Sequence, residues 1–204
     1  MATASSTSSA STDDGENADA RRRALVNAMK AVRRASLDRA FAEVVPGVFV
    51  GAIGAARDEA GARARGVTHV LSLCSTPSAI ANANERTGGE DVKDDFVRLT
   101  IDIADSPEAD IASKFDECYA FIARALSAGG RALVHCFQGK SRSVTICAMY
   151  VMRARGCGCD DALNLVRASR PMANPNEAFV AALRDEERRL TFAANAKARV
   201  ANDE

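Results

Sequence analysis

The run Val134-His135-Cys136-Phe137-Gln138-Gly139-Lys140-Ser141-Arg142-Ser143 constrains this chain more than any other segment. A short apolar stretch, Ala132-Leu133-Val134, leads into it, and a longer one, Val144 to Met152, leads out. This pattern predicts a buried strand, a tight loop and a helix. It places the Cys136 sulfur where loop amides and a helix N-terminus converge, a nest of N–H groups that binds an oxyanion and favours thiolate over thiol. Arg142 adds a planar, permanently charged fork able to hold two phosphate oxygens at once. A nucleophile in an anion cradle points to attack on a phosphate ester.

Two other readings of the run carry less. A cysteine after Leu133-Val134-His135 has the look of a small buried hydrophobe, but packing alone does not call for the glycine, two serines and arginine that follow. Gly139-Lys140-Ser141 echoes a nucleotide P-loop, which requires a further glycine five positions earlier; Val134 stands there.

Each residue of the loop has an expected task. Cys136 is the nucleophile, forming a phosphocysteine intermediate by in-line attack. Phe137, Gln138, Gly139, Lys140, Ser141 and Arg142 enclose the phosphate, with Arg142 also holding the charge that spreads in the transition state. Gly139 lets the backbone come close without a Cβ in the way. Lys140 reads equally as a rim charge and as a substrate contact. The Ser143 hydroxyl can donate to the sulfur and ease its departure, or can satisfy a backbone amide at the helix start. His135 reads as an orienting core histidine that holds the loop and the sulfur environment by hydrogen bonds.

The leaving oxygen needs a proton that Cys136 cannot supply. Candidates lie in Asp102-Ile103-Ala104-Asp105-Ser106-Pro107-Glu108-Ala109-Asp110. Asp102 falls inside an alternating strand, and Asp110 is placed to cap the helix beginning near Ile111. Asp105 lies beyond the strand on the connecting loop, and is the expected general acid, with Asp102 second.

With 204 residues the chain has room for one domain plus tails, and a 47% hydrophobic content supplies a core. Zero formal net charge gives no global reason to expect nucleic-acid binding. No apolar run approaches membrane-spanning length, so a soluble protein without a membrane role is expected. The first twenty residues lack a secretory pattern, and Asp13, Asp14, Glu16 and Asp19 argue against an organelle transit peptide. Six cysteines, at 74, 118, 136, 147, 157 and 159, form no paired CxxC set, so neither a zinc site nor any cofactor is expected. Cys157-Gly158-Cys159 reads as a helix-to-helix turn. A reactive Cys136 fits a reducing compartment: the cytoplasm, and also the nucleus.

Along the chain, residues 1–20 are Ser, Thr, Ala and acid and are expected to be disordered. Residues 21–43 read as a basic amphipathic helix. Strands are expected at 48–51, 67–73, 97–103 and 132–135, and helices at 55–65, 111–127, 142–154, 160–169 and 176–190, with a polar loop over 75–95 and a helix end or tail over 191–204. Helices alternating with strands imply an α/β domain around a central, mostly parallel sheet, with Cys136 at a strand's carboxyl end, where such sheets place ligands.

His135-Cys136, five intervening residues and Arg142-Ser143 resemble the signature loop of cysteine-dependent protein phosphatases, and the string Val134 to Thr145 resembles the dual-specificity branch. The resemblance covers roughly residues 44–190. Pro46-Gly47-Val48-Phe49-Val50-Gly51 and Gly66-Val67-Thr68-His69-Val70-Leu71 look like that family's first strands, and Arg170-Pro171, Pro175-Asn176 and Phe179 like its closing segment. The resemblance supports Asp105 as general acid, at the family's offset from Phe115. The family's usual asparagine or serine supports within the 102–110 loop are not evident. The resemblance implies a shallow pocket that takes phosphoserine and phosphothreonine as well as phosphotyrosine. Phe115-Asp116-Glu117-Cys118-Tyr119 and Val144-Thr145-Ile146 are similar to plant and algal members that act on mitogen-activated protein kinases. A phosphopeptide-binding module without catalysis, and a phosphatase for lipid or RNA phosphates, are the competing functions. Arg21-Arg22-Arg23, Lys30, Arg33, Arg34 and Arg39, interleaved with Leu25, Val26, Met29 and Val32, make residues 21–39 a candidate calmodulin target or kinase-docking arm, or a helix that only packs.

Overall fold

The computed structural model describes residues 13–74 and 96–202, with side chains described for 17–74 and 96–196. The polar loop expected over 75–95 lies outside the described residues. Contacts divide the chain into residues 1–34 and residues 35–204.

The first unit contributes most of one helix, α1 (Asp13–Leu37). This corrects two expectations. Residues 13–20 are helical rather than disordered. The helix also ends at Leu37 instead of reaching 43. Asp38 begins a turn by accepting the Ala40 amide at 3.1 Å, and the chain then enters a strand.

That strand, β1 (Ala42–Val45), was not anticipated. It pairs antiparallel with β2 (Val48–Gly51) across the Pro46-Gly47 turn, where Gly47 takes φ 83°. Proline followed by a glycine of positive φ is the signature of such a turn. Beyond β2 lie two short helices, α2 (Ile53–Ala56) and α3 (Glu59–Ala64), where one helical stretch was expected. Asp58 separates them, accepting the Gly61 amide as cap of α3.

Strands β3 (Val67–Cys74), β4 (Val97–Asp102) and β5 (Arg131–His135) complete a five-stranded sheet in the order β1-β2-β5-β3-β4. The β2–β5, β5–β3 and β3–β4 pairs are all parallel, so the sheet is mostly parallel, as expected. A parallel sheet covered on both faces demands nearly continuous apolar strands, which is what Val48-Phe49-Val50 and Ala132-Leu133-Val134 supply. The larger core lies between the sheet and four helices: α4 (Phe115–Ser127), preceded by a 3₁₀ turn at Ala112–Lys114, α5 (Arg142–Arg155), α6 (Cys159–Ser169) and α7 (Glu177–Asn202). Phe49, Ala62, Val67, Val70, Phe96 and Leu133 form a smaller core on the opposite face. Asp110 accepts the Ser113 amide and so caps the 3₁₀ turn rather than the α-helix itself. Gly156, with φ 64°, ends α5, and Cys157-Gly158 bridges to α6, the expected turn between helices. Helix α7 continues well past 190, where a helix end or tail was expected.

This topology sets the site. Strand β5 is central, flanked by β2 and β3, and Cys136 follows its last residue directly. The loop beyond it opens at the carboxyl edge of the parallel strands.

Candidate active site

The chain from Cys136 to Arg142 curls around the Cys136 sulfur. The Gly139 amide donates to Sγ at 3.2 Å, and the Ser143 hydroxyl lies 3.2 Å from it. Ser143 therefore faces the sulfur instead of capping a backbone amide. Gly139, Ser141, Arg142 and Ser143 are buried, Phe137 and Gln138 are half-buried, and Lys140 is exposed at the rim.

The curl is held from outside by its carbonyls. Ile53 N–H donates to Phe137 O at 3.2 Å, Arg170 Nη2 to Gln138 O at 2.9 Å, and Arg170 Nε to Gly139 O at 2.6 Å. The Asn174 amide donates to Lys140 O at 2.8 Å, and the Thr145 amide and hydroxyl both donate to Ser141 O at 2.9 Å. Five successive carbonyls are thus engaged by the scaffold, which leaves the loop's amides as the donors available to an anion. Gly139 takes φ 64°, and a Cβ there would lie 2.5 Å from Gly51 O.

Arg142 opens α5 and is 7% exposed. Its Nη1 donates to Ile103 O at 3.1 Å, on the loop after β4, while its Nε has no hydrogen-bond partner among the described residues. Asp105 lies on that same loop. Its Oδ2 stands 3.7 Å from Arg142 Nε, and its Oδ1 accepts the Ser141 hydroxyl at 2.6 Å and the Asn176 side-chain amide at 3.2 Å. Asp105 and Arg142, 37 positions apart, are thereby brought to one place beside the Cys136 loop. Asp102 is not: it is the exposed last residue of β4, in register with Cys74.

His135 is buried, and its Nε2 pairs with Ser72 Oγ at 2.7 Å. The ring ties β5, the strand that leads into Cys136, to β3. Burial pushes its pKa down to about 4, the Cys136 backbone opposes this, and the positive charges of Arg98, Arg142 and Arg57 add to it. It is a neutral imidazole at physiological pH.

Three supporting contacts were not read from the sequence. Ser141, placed in the cradle, also positions Asp105. Asn176 does so from the start of α7, and Arg170 grips the loop's outer edge. Both Asn176 and Arg170 lie in the segment that carries the family resemblance, and that was the one signal pointing to them. Their partners are 71 and 31 positions away, a pairing that only the fold reveals.

A nucleophilic sulfur in an amide-lined curl, a buried arginine at its mouth and a tethered carboxylate beside it form an arrangement suited to phosphoryl transfer. The comparisons agree. Residues 48–189 match the family model for the dual specificity phosphatase catalytic domain. Dual specificity protein phosphatase 1B of Arabidopsis thaliana is 38% identical over 150 residues, spanning 74% of this chain and 83% of that one. Dual specificity protein phosphatase 1 of the same plant is 35% identical over 167 residues, 82% of this chain and 79% of the relative. The crystal structure of human DUSP28 superposes with a TM-score of 0.64 at 28% identity, covering 74% of this chain and 95% of that structure. The chain belongs to the dual-specificity phosphatase family of cysteine-based protein phosphatases, and is a hydrolase of phosphate esters.

Proposed function

We propose that this phosphatase acts on phosphotyrosine and on phosphoserine and phosphothreonine in proteins, through a phosphocysteine formed on Cys136. The observation that carries the reading is the pairing of Sγ, within 3.2 Å of both the Gly139 amide and the Ser143 hydroxyl, with Asp105 held beside Arg142. In the first step the Cys136 thiolate attacks phosphorus. The bond from phosphorus to the ester oxygen breaks, and Asp105 gives its proton to that oxygen. In the second step Asp105 takes a proton from water, the water oxygen attacks phosphorus, the P–S bond breaks, and Cys136 leaves as thiolate beside the Ser143 hydroxyl. Arg142 and the loop amides hold the non-bridging oxygens in both steps.

Lys140 is the one basic side chain within the curl besides Arg142, and it sits exposed at the rim. That favours protein substrates over the densely charged head groups of phosphoinositides. A mitogen-activated protein kinase is the substrate we assign, supported by the resemblance of 115–119 and 144–146 to plant and algal phosphatases of that class. Residues 21–39, most of them on helix α1, are its docking arm: basic residues from Arg21 to Arg39 alternate with exposed Leu25, Met29 and Val32. The same helix chemistry suits calmodulin, and a calcium requirement for binding separates the two occupants. No described helix is long and apolar enough to cross a membrane. We place the activity in the cytoplasm and nucleus.

The test is hydrolysis of an aryl phosphate by wild type and by folded Cys136→Ser, followed by turnover of phosphopeptide, phosphoinositide and RNA 5′-triphosphate. Wild-type activity abolished in Cys136→Ser, with phosphopeptide preferred, is expected. Equal rates in the two proteins refute the phosphocysteine route, and preference for lipid or RNA refutes the protein assignment. Trapping with Cys136→Ser then identifies the phosphoprotein.

A further inference from the structure

The outer edge of the phosphate loop is held by an arginine whose own charge must be balanced. Arg170 is 4% exposed, and its guanidinium makes three bonds in two directions. Nε donates to Gly139 O at 2.6 Å and Nη2 to Gln138 O at 2.9 Å; Nη2 also donates to Asp38 Oδ2 at 2.6 Å. Carbonyl oxygens satisfy hydrogen bonds but carry no net charge. The counter-charge bonded to this buried cation is Asp38, 132 positions away in sequence. Asp38 is itself fixed, because its other oxygen accepts the Ala40 amide at 3.1 Å.

The same short segment braces the loop by a second route. The carbonyls of Ala35, Ser36 and Asp38 close so tightly on Gly54 that a Cβ there would lie 2.9, 2.7 and 2.5 Å from them. Gly54 belongs to α2, whose first residue, Ile53, donates its amide to Phe137 O. Three successive loop carbonyls are therefore drawn outward by struts that end on residues 35–38. This matters for an anion site, because a carbonyl that swings inward presents negative charge to the phosphate and turns an amide donor away from it.

We propose that Asp38 is a positioning residue for phosphate binding: by neutralising Arg170 it keeps the Gln138 and Gly139 carbonyls turned out of the cradle. This rests on the reading of residues 136–142 as the substrate phosphate site. Asp38 touches neither substrate nor sulfur; it acts through Arg170.

The experiment measures inhibition by inorganic tungstate, a phosphate-like oxyanion, together with kcat and KM for an aryl phosphate, in the full chain. Asp38→Asn preserves shape and removes the charge. It is expected to weaken tungstate inhibition about tenfold and to raise KM more than it lowers kcat, with Asp38→Glu recovering part of the loss. Arg170→Lys keeps the ion pair, but one ammonium cannot span two carbonyls; it is expected to weaken tungstate to a similar extent, and it stands as the test should Asp38→Asn not fold. Adding Asp38→Asn to Arg170→Met is expected to cause no further loss, since the two act in series. Wild-type tungstate affinity in folded Asp38→Asn or in Arg170→Lys overturns the proposal, as does full additivity in the double variant. If wild type neither hydrolyses the aryl phosphate nor is inhibited by tungstate, the phosphatase reading itself fails, a result distinguishable from loss of the brace.

Discussion

Asp105 and Arg142 share the edge of the phosphate loop, carboxylate Oδ2 and guanidinium Nε 3.7 Å apart, with Ser141 holding the other carboxylate oxygen at 2.6 Å. In the proposed mechanism, Arg142 holds the phosphate oxygens while Asp105, tethered by Ser141 and Asn176, protonates the ester oxygen. A positioned acid of this kind contributes roughly 10²–10⁴-fold. Asp105→Asn is therefore expected to lower kcat on an alkyl or phenyl phosphate by about that factor, and by much less on an ester with a good leaving group. Asp102→Asn, altering an exposed strand residue, should stay within about twofold of wild type. A larger effect at Asp102 reverses the assignment.

Asn176 makes a separable prediction, because its two side-chain atoms do different work. Its Oδ1 accepts the Phe179 amide at 2.9 Å and caps α7, while its Nδ2 donates to Asp105. Aspartate caps a helix as well as asparagine does, so Asn176→Asp should keep the α7 cap. It replaces a donor facing Asp105 with a like charge, however, and a bond to a charged group is worth about 1.5–3 kcal/mol. Turnover should fall roughly tenfold or more. Asn176→Ala removes the cap too and should lose about 1 kcal/mol of stability in addition. Full activity in Asn176→Asp removes Asn176 from the positioning of the acid.

The Ser143 hydroxyl, 3.2 Å from Sγ and buried with it, matters most when sulfur departs as an anion. Ser143→Ala should leave formation of phosphocysteine nearly intact and slow its hydrolysis about ten- to a hundredfold, the range for a bond to a charged group. Stopped-flow measurement should then show a burst of released aryl alcohol before a slow steady state. An equal drop in burst rate and steady rate, with no accumulation, places Ser143 in the first step instead.

Gly139 and Gly156 have the same φ, 64°, but different surroundings, which makes them a matched pair. A Cβ at Gly156 meets nothing within 4 Å; at Gly139 it meets Gly51 O at 2.5 Å and Arg170 Nη2 at 2.7 Å. Gly156→Ala should cost about 1–2 kcal/mol of stability, the left-handed backbone penalty alone, and leave catalysis unchanged. Gly139→Ala carries the same penalty and must also displace the loop from its scaffold, so tungstate binding and turnover should both fall at least tenfold. A folded Gly139→Ala with normal tungstate affinity contradicts the cradle geometry described for this loop.

What was legible in the sequence was what lies close together along it. Strand β5, the Cys136 loop and the start of α5 form one unbroken segment, so spacing alone placed sulfur, glycine and guanidinium together. The parallel core strands were legible because a strand covered on both faces must be apolar almost throughout. Edge strand β1 was not, since four residues between a helix and a proline carry too little pattern to separate them from the helix tail. The supports of Asp105 were sought within its own loop and are supplied instead by Ser141 and Asn176, from two other parts of the chain. Asp38 and Arg170 present the same problem at longer range: neither shows locally that it has a partner 132 positions away, and only the folded chain joins buried Arg170 to half-buried Asp38.

His135 links the fold to pH. Its pKa falls from the usual 6.5 to about 4 because the buried ring cannot be solvated as a cation, and its bond to Ser72 holds it between two central strands. Above pH 6.5 the ring is neutral in folded and unfolded chains alike, and its contribution to stability is complete. Between pH 6.5 and about 4 the unfolded chain takes up a proton that the folded chain refuses, so stability declines as pH falls through this window. The full loss is on the order of 3 kcal/mol by proton linkage. Urea unfolding at pH 7.5, 6, 5 and 4 should show that decline in wild type. In His135→Asn, which cannot titrate, the pH 7.5 stability should be lower through the lost packing, and the slope between pH 6.5 and 4 should be shallower by one proton's worth. An unchanged slope in a folded His135→Asn shows that some other group sets the acid limit of this protein.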